Sequence, residues 1–148
     1  MDTPAESHLF QITTLLGRCG LPTDDLDTLD LSLFRVVVND GQLEAVGALE
    51  RFENLALLRS LATAESARGR GLGCQLVEEL HALAKEKGIE ELYLLTESAE
   101  PFFTALGFQE VERASVPQAI KDSRQFSSIC PGTATVMMKQ VQAAARVE

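Results

Sequence analysis

The sequence predicts one α/β domain with a mixed β-sheet flanked by helices, and three observations support this fold class. The chain has 148 residues, a length that fits one ordinary globular domain. Asn39-Asp40-Gly41 is typical of a hairpin turn and lies between two apolar runs. Further on, a strand, a glycine-rich turn, a helix and a second strand follow one another. Because such crossovers are right-handed, the two strands should be parallel neighbours.

The elements of the N-terminal half follow from apolar spacing and from turn residues. Apolar residues at helical spacing predict a first helix from Pro4 to Cys19, ended by Gly20. A second, short helix is predicted from Pro22 to about Thr28. Three apolar or β-branched runs predict strands, the first two forming the hairpin: Leu33–Val38, Leu43–Arg51 and Leu55–Thr63.

The C-terminal half alternates helices with short strands. A helix is predicted from Leu72 to Lys87, and the apolar run Glu91–Thr96 is typical of a strand covered on both faces. Ser98 is predicted to cap a short helix that carries Pro101 in its first turn and closes at Gly107. The remaining predictions are a strand Phe108–Glu112, helical turns in Val116–Asp122, a loop Gln125–Gly132, a strand Thr133–Lys139 and a frayed tail Gln142–Glu148.

The charge balance argues against two classes of partner. Asp and Glu number 22 against 13 Lys and Arg, so the formal net charge is −9 and the pI is about 4.7. Binding to nucleic acid or to anionic lipid is therefore disfavoured. No apolar run approaches the ~20 residues that span a bilayer, and Met1–Leu9 lacks the features of a signal peptide. We expect a soluble, cytoplasmic protein.

The three cysteines do not form a recognisable site. Cys19, Cys74 and Cys130 lie far apart, without the close pairs that zinc sites and redox motifs use. We expect reduced thiols and no bound metal.

The most informative segment is the turn Arg68-Gly69-Arg70-Gly71-Leu72-Gly73, between a predicted strand and the first turn of a helix. Glycines let the backbone approach a ligand closely, and the free N–H groups of a helix N-terminus hold oxyanions. Arg68 and Arg70 add positive charge to an otherwise acidic chain. This combination indicates a site for a pyrophosphate.

Other interpretations of this turn fit less well. A Rossmann dinucleotide site needs a G-x-G-x-x-G spacing directly at the strand end and a longer chain, and a P-loop needs Gly-Lys-Ser or Gly-Lys-Thr. A turn that serves only to pack helix against sheet leaves the two arginines unexplained. Coenzyme A is the best candidate ligand.

Arg-x-x-Gly-x-Gly after a strand, here Arg68 to Gly73, resembles the pyrophosphate-binding motif of the GNAT superfamily of acyl-CoA-dependent N-acyltransferases. The order of predicted elements is similar to that family from about residue 5 to residue 140. Shorter motifs resemble acetyltransferases encoded near arsenic-resistance genes: Leu57–Ala62, Leu94–Thr96, Phe102-Phe103, Gln125-Phe126 and Cys130-Pro131. The Leu-Thr and Phe-x-x-x-Gly-Phe parts also resemble the acetyltransferase domain of bacterial N-acetylglutamate synthases.

The resemblance implies a mixed, mostly antiparallel sheet with a central, splayed pair of parallel strands. It also implies acetyl-CoA as the donor and a homodimer of the kind that many relatives form. The pantetheine arm would lie along one strand edge like an added strand, and the pyrophosphate would lie on the turn amides. Phe102 and Phe103 would flank the thiol, and core packing is the alternative role for one of them. The implied cofactor contacts are Leu61, Ala62 and Thr63 for the arm, Arg68, Gly69, Arg70, Gly71, Leu72 and Gly73 for the pyrophosphate, with Cys74 one residue further into the helix, and Phe102 and Phe103 near the thiol.

Direct acyl transfer to an amine needs a neutral amine, a held carbonyl and protonation of the leaving thiolate, and it needs no metal. By resemblance, the amide of Leu61 or Ala62 polarises the thioester carbonyl. Phe103 stands where many family members have a tyrosine that acts as the acid. Tyr93, the only tyrosine, lies in a buried-looking strand, so Thr96, Ser98 or water are the candidates that remain for this role.

The candidate bases are glutamates. Glu50 and Glu53 lie at the end of the strand that precedes Leu55–Thr63, and Glu97 lies at the mouth of the implied strand splay, towards the acceptor. Exposed glutamates are usually only solubilising. Glu50 is our first choice of base.

Arg59 is a long cation in the middle of an apolar strand. Strand alternation predicts that it shares a face with Leu57, Leu61 and Thr63. It forms either a buried ion pair with a carboxylate such as Glu50 or a fork for an oxyanion of the acceptor. The second hypothesis makes the acceptor a small amine that also carries an acid group, such as an amino acid or its phosphinate or arsinate analogue.

The sequence thus predicts an acetyl-CoA-dependent N-acetyltransferase acting on a small acidic amine. Because the usual tyrosine is missing, a non-catalytic acyl-CoA sensor is the first alternative. A partner-binding protein that retains only the scaffold is the second.

Overall fold

The computed structural model describes residues 1–21, 23, 26, 29–123, 126 and 134–141. The helices are α1 (Leu9–Arg18), α2 (Leu72–Glu86), α3 (Glu100–Ala105) and α4 (Gln118–Lys121). The strands are β1 (Phe34–Asn39), β2 (Gln42–Phe52), β3 (Leu55–Thr63), β4 (Glu91–Thr96), β5 (Gln109–Glu110) and β6 (Thr135–Gln140). Short 3₁₀ turns lie at Glu6–His8, Leu31–Leu33, Glu65–Ala67 and Arg113–Ser115.

The six strands form one sheet in the order β1-β2-β3-β4-β6-β5. β3 and β4 pair in parallel, whereas β1 with β2, β4 with β6 and β5 with β6 pair antiparallel. This arrangement confirms the predicted fold class, including the parallel neighbours on either side of the glycine-rich turn and its helix.

The chain divides into two compact units, and the first comprises Met1–Glu50 and Leu58–Leu83. Its hydrophobic cluster packs α1 against one face of the β1–β2 hairpin and against Ala62 of β3. On the other face, a Cβ at Gly47 would lie 2.9 Å from Leu80 Cδ1 and 3.0 Å from Leu61 Cδ1. Gly47 therefore allows the side chains of α2 and β3 to approach the hairpin closely. The cluster consists of Ile12, Leu15, Leu16, Leu26, Phe34, Val36, Leu43, Val46, Ala48 and Ala62.

The turn of the β1–β2 hairpin has the conformation that its residues predict. Asp40 and Gly41 have φ of +53° and +75°, and two consecutive positive φ angles define a type I′ turn. This turn matches the right-handed twist of the strands, so the Asn39-Asp40-Gly41 prediction is confirmed.

The second unit comprises Arg51–Leu57 and Ala84–Glu148. In it, Leu55–Leu57 of β3 pair with Glu91–Tyr93 of β4, and β4 pairs over its full length with β6. One hydrophobic cluster of this unit joins β-strand side chains to the segment around α4. Its buried members are Leu57, Tyr93, Val116, Ile120 and Val136.

Several predicted boundaries agree with the structure and others do not. The bounds of β3 and β4 are those predicted, whereas the first helix begins as a 3₁₀ turn and becomes α-helical only at Leu9. Ser98 does not cap α3. The residue before α3 is Ala99, and its N–H donates to Thr96 Oγ1 at 3.0 Å. A threonine hydroxyl can accept such a hydrogen bond from an amide a few residues further along the chain.

The last predicted strands are shorter than expected. β5 covers only Gln109 and Glu110, and β6 begins at Thr135. The predicted helix at Pro22–Thr28, the loop Gln125–Gly132 and the tail Gln142–Glu148 lie largely or wholly outside the described residues, as does Cys130.

None of the helices in the described part of the chain is long and apolar enough to cross a membrane. Within the same residues, no three His, Cys, Asp or Glu side chains are grouped so that they could hold a metal ion. Cys19 and Cys74 are half-buried free thiols.

Candidate active site

The second half of β3 is shaped by one residue in the left-handed conformation. Ser60 has a φ of +58°, which is uncommon for a residue other than glycine, and it is buried. Such a residue interrupts the alternation of side chains along a strand, as a β-bulge does. Leu61 consequently lies beside Gly47 and α2, whereas Ala62 packs in the α1 cluster on the opposite face.

This interruption corrects one prediction from the sequence. Glu50 lies on the face of β2 that carries Val46 and Ala48 of the α1 cluster, and Arg59 reaches across to it. Arg59 is therefore on the opposite face of the sheet from Leu61. The predicted common face of Arg59 and Leu61 was wrong because the alternation rule assumes an unbroken strand.

Arg59 and Glu50 form an ion pair in which only one partner contacts solvent. Arg59 Nη1 lies 2.9 Å from Glu50 Oε1, and the side chains are 1% and 20% exposed, respectively. Arg59 Nε also donates to Ser60 Oγ at 3.3 Å. The structure thus contains the ion pair that the sequence left as one of two alternatives for Arg59, and its predicted contact with an acceptor oxyanion stays a prediction.

The glycine-rich turn presents a series of backbone N–H groups. Gly69 and Gly71 adopt φ of +83° and +78°. In the first backbone hydrogen bond at the start of α2, the N–H of Gln75 donates to Gly71 O at 3.0 Å. Within the described residues, the six preceding amides from Gly69 to Cys74 donate to no acceptor. The first five of them, Gly69 to Gly73, are the amides that the family resemblance implies for the pyrophosphate, and Cys74 lies one residue further into the helix.

The two arginines of the turn bind it to the preceding backbone. Arg68 Nε donates to Thr63 O at 3.2 Å, and Arg70 Nε donates to Ala67 O at 3.3 Å. Arg70 Nη2 also lies 2.7 Å from Glu44 Oε1, and the Arg70 side chain is 51% exposed. Because this pair is exposed, it contributes little to stability and can exchange its partner.

In the second unit, Thr96 is the last residue of β4, and Glu97 directly follows the strand. Thr96 Oγ1 accepts the Ala99 N–H, so its oxygen holds the start of α3, and Glu97 is exposed. The predicted roles of Thr96 as an acid and of Glu97 at the acceptor stay predictions.

The two neighbouring phenylalanines of α3 have different surroundings. Phe103 is buried, whereas Phe102 is 38% exposed. The Phe103 ring packs edge-to-face on Phe102 at 5.0 Å and on Phe108 at 5.7 Å between centroids. Phe103 is therefore the one that packs in the core.

Two contacts in this region have no signal in the sequence. Lys139 Nζ of β6 donates to Leu106 O at 2.7 Å and so binds the last turn of α3 across 33 positions of the chain. Tyr93 OH donates to Glu91 Oε1 at 2.9 Å. Burial, and secondarily this hydrogen bond, raise the pKa of Tyr93 above its ordinary value. Tyr93 is thus a buried, poorly acidic hydroxyl, as its strand position predicts.

Residues 30–110 match the family described as "Acetyltransferase (GNAT) domain". The chain therefore belongs to the GNAT acetyltransferase family, whose members take their acetyl group from acetyl-CoA.

Two curated relatives illustrate the similarity in sequence. The chain is 41% identical over 66 residues to the uncharacterized N-acetyltransferase CT2212 of Chlorobaculum tepidum, covering 45% of this chain and 42% of that protein. It is 30% identical over 118 residues to an amino-acid acetyltransferase of Pasteurella multocida, covering 78% of this chain and 27% of that protein. The chain thus spans less than half the length of the curated relatives that it matches.

Solved structures show the same fold. N-acetylglutamate synthase from Neisseria gonorrhoeae, complexed with coenzyme A and N-acetyl-glutamate, superposes with a TM-score of 0.81 at 19% identity, over 95% of this chain and 34% of that one. Rv2747 from Mycobacterium tuberculosis, in complex with CoA and NLQ, gives a TM-score of 0.77 at 19% identity, over 94% and 97% of the two chains.

Proposed function

We propose that this chain transfers the acetyl group of acetyl-CoA to the amine of a small, amino-acid-like acceptor that also carries an acid group. The observation that carries the proposal is the run of six amides from Gly69 to Cys74, which donate to no acceptor among the described residues. Free N–H groups at a helix N-terminus bind phosphate oxygens, and a pyrophosphate presents several of them. Family membership supports acetyl-CoA as the molecule that carries this pyrophosphate.

In this proposal, the backbone of Leu61, Ala62 and Thr63 hydrogen-bonds the pantetheine arm, and the turn amides hold the pyrophosphate. Arg70 is suited to exchange the Glu44 carboxylate for a phosphate oxygen. Its side chain is 51% exposed, and a phosphate oxygen is an anionic hydrogen-bond acceptor as the carboxylate is. Arg68 keeps the turn attached to the end of β3 through Thr63 O.

The proposed reaction is direct. The lone pair of the acceptor amine attacks the thioester carbonyl carbon, whose oxygen accepts a hydrogen bond from the amide of Leu61 or Ala62. The carbon–sulfur bond then breaks, and the thiolate of coenzyme A leaves and takes up a proton. Glu50, whose side chain is 20% exposed, is the proposed acceptor of the proton that the amine loses.

Two features support an amino-acid-like acceptor. Relatives of the chain include proteins described as amino-acid acetyltransferases. Arg59 supplies a cation that an acceptor carboxylate would reach by replacing Glu50 as its partner. Phosphinate and arsinate analogues of amino acids present a similar oxyanion, so the proposal includes them as acceptors.

A second candidate function is a non-catalytic acyl-CoA-binding module. It is favoured by the absence of an available tyrosine, because Phe103 is buried where the family resemblance expects that acid and the Tyr93 hydroxyl is bonded to Glu91. This candidate predicts binding of acetyl-CoA without release of thiol for any amine.

The test combines ligand-induced stabilisation with an assay of thiol release. A ligand at a hundred times its Kd adds about 2.7 kcal/mol to the free energy of unfolding. We expect this stabilisation with acetyl-CoA and coenzyme A but not with NAD. Acetyl-CoA is then incubated with a panel of amino acids and their phosphinate and arsinate analogues. Release of thiol indicates the enzyme, and binding without release of thiol indicates the non-catalytic acyl-CoA-binding module.

A matched pair of variants locates the site. Gly71 and Gly88 both have positive φ, +78° and +79°, and a Cβ added at either glycine would meet no atom within 4 Å. Gly71→Glu and Gly88→Glu therefore introduce similar backbone strain, at opposite ends of α2. We expect Gly71→Glu to lose stabilisation by acetyl-CoA and Gly88→Glu to keep it. Equal stabilisation of both variants contradicts binding at the glycine-rich turn.

A further inference from the structure

The first unit contains a cavity of about 450 Å³ between α1 and the β1–β2 hairpin. This volume lies in the range of small-molecule sites, ~300–1,000 Å³. Neither Glu50 nor Arg59 lines the cavity, so it is separate from the ion pair described above. Ala64 and Ser66, which follow β3, form its third side.

The charges around this cavity are of both signs. Arg18 lines it from the last position of α1, and Asp40 lines it from the tip of the hairpin. Both residues are exposed, and neither side chain forms a hydrogen bond or an ion pair within the described part of the chain. The third charged residue, Glu44, is already paired with Arg70. The cavity therefore offers one guanidinium and one carboxylate that lack a partner among the described residues.

An apolar surface lies beside these charges. Phe10 lines the cavity and is 80% exposed, which makes it the most exposed large hydrophobic side chain of the described residues. Leu15 and Leu43 form a buried apolar part of the lining. A ligand that covered Phe10 would remove apolar surface from water, which is favourable.

We propose that this cavity binds a free α-amino acid with an apolar side chain. Its carboxylate would bind Arg18 through charge-assisted hydrogen bonds, its ammonium group would bind Asp40, and its side chain would cover Phe10. A ligand with charges of both signs matches a site with one available charge of each sign, whereas a simple carboxylate or a simple amine satisfies only one of them.

Two contacts connect the cavity to the glycine-rich turn. Glu44 lines the cavity and pairs with Arg70 of the turn, and Arg68 Nη2 lies 3.8 Å from Sγ of Cys19, the neighbour of Arg18. Given the proposed binding of acetyl-CoA at that turn, occupation of one site should alter affinity for the other, and by linkage the two effects must be equal.

The experiment measures binding of L-leucine and L-phenylalanine to the full chain by calorimetry without acetyl-CoA. Each amino acid is compared with its carboxamide, which lacks the carboxylate, and with its N-acetyl derivative, which lacks the ammonium group. We expect both derivatives to bind at least about tenfold more weakly than the amino acid, because each loses one charged hydrogen-bonding group.

Two variants assign the charges to residues. Arg18→Gln should bind the amino acid no better than its carboxamide, and Asp40→Asn should bind it no better than its N-acetyl derivative. Asparagine tolerates the left-handed conformation of Asp40, so this variant keeps the turn. Arg51→Gln is the matched control, because Arg51 is an exposed arginine outside the cavity, and it should bind as the parent chain does.

The proposal is overturned if neither amino acid binds at about 10 mM, or if Arg18→Gln binds like the parent chain. These outcomes are independent of the proposed function. Binding of acetyl-CoA without any binding of amino acids in this cavity refutes only the cavity proposal. Binding of amino acids without binding of acetyl-CoA refutes only the proposed function.

Discussion

The Arg59–Glu50 pair permits a quantitative test of what burial does to an ion pair. Replacing Glu50 by leucine removes the carboxylate that lies 2.9 Å from the Arg59 guanidinium, whose side chain is 1% exposed. Removal of one partner from a buried pair costs about 3–5 kcal/mol. Replacing Arg59 by methionine leaves Glu50, whose side chain is 20% exposed and open to water, so we expect a smaller loss of about 1–2 kcal/mol.

The double variant Glu50→Leu/Arg59→Met carries no buried charge at this position. Apolar replacement of both partners is often neutral or stabilising, so we expect its free energy of unfolding to lie within about 1 kcal/mol of the parent value. The four proteins form a double-mutant cycle with an expected coupling of at least about 3 kcal/mol. Urea denaturation followed by circular dichroism supplies the four free energies.

The Arg70–Glu44 pair is the control, because it is shorter at 2.7 Å but its arginine is 51% exposed. Its cycle, with Glu44→Leu and Arg70→Met, should give a coupling below about 1 kcal/mol. If the two cycles give the same coupling, or if the Glu50 and Arg59 effects simply add, burial does not determine the strength of this pair.

Two further predictions concern stability. Gly47→Ala should lower Tm, by the equivalent of about 1 kcal/mol, because the new methyl group would lie 2.9 Å from Leu80 Cδ1. Gly17→Ala, in open space on α1, should raise Tm instead, and a rise for both contradicts close packing at Gly47. The pKa of Tyr93 is raised in the folded chain, so the folded state holds the hydroxyl proton more tightly than the unfolded state does. This contribution to the free energy of unfolding is complete below the unfolded pKa of ~10 and is lost as the pH rises above that value. Tyr93→Phe should therefore lose less stability than the parent chain between about pH 9 and pH 11 in urea titrations, and equal losses would contradict the raised pKa.

The sequence predicts those elements whose pattern is local. The bounds of β3 and β4 follow from continuous apolar runs, and the type I′ turn follows from Asp40 and Gly41. The glycine-rich turn is predicted for the same reason, because Gly69 and Gly71 are the residues that positive φ angles favour.

What the sequence misses depends on contacts between distant residues. The left-handed conformation of Ser60 has no marker, since serine does not favour positive φ, and this single residue reverses the faces of Leu61 and Ala62. Adjacent phenylalanines give no indication of which is buried, so the core position of Phe103 emerges only from its contact with Phe108. The hydrogen bond from Lys139 to Leu106 links residues that no periodic pattern connects.

The bulge at Ser60 divides β3 into two segments in which the alternation of side chains between the two faces of the sheet is opposite. Odd-numbered and even-numbered side chains exchange sides at this residue, so the strand presents two independent sets of positions to the layers above and below it. Extended backbone at Ser60 would restore a single alternation and transfer the side chains of one half of the strand to the wrong layer. Deletion of Ser60 would instead make Arg59 and Leu61 neighbours, which in a regular strand point to the opposite faces that they already occupy. The position is therefore constrained by its backbone conformation: residues that readily adopt positive φ, such as glycine and asparagine, suit it, and β-branched residues do not.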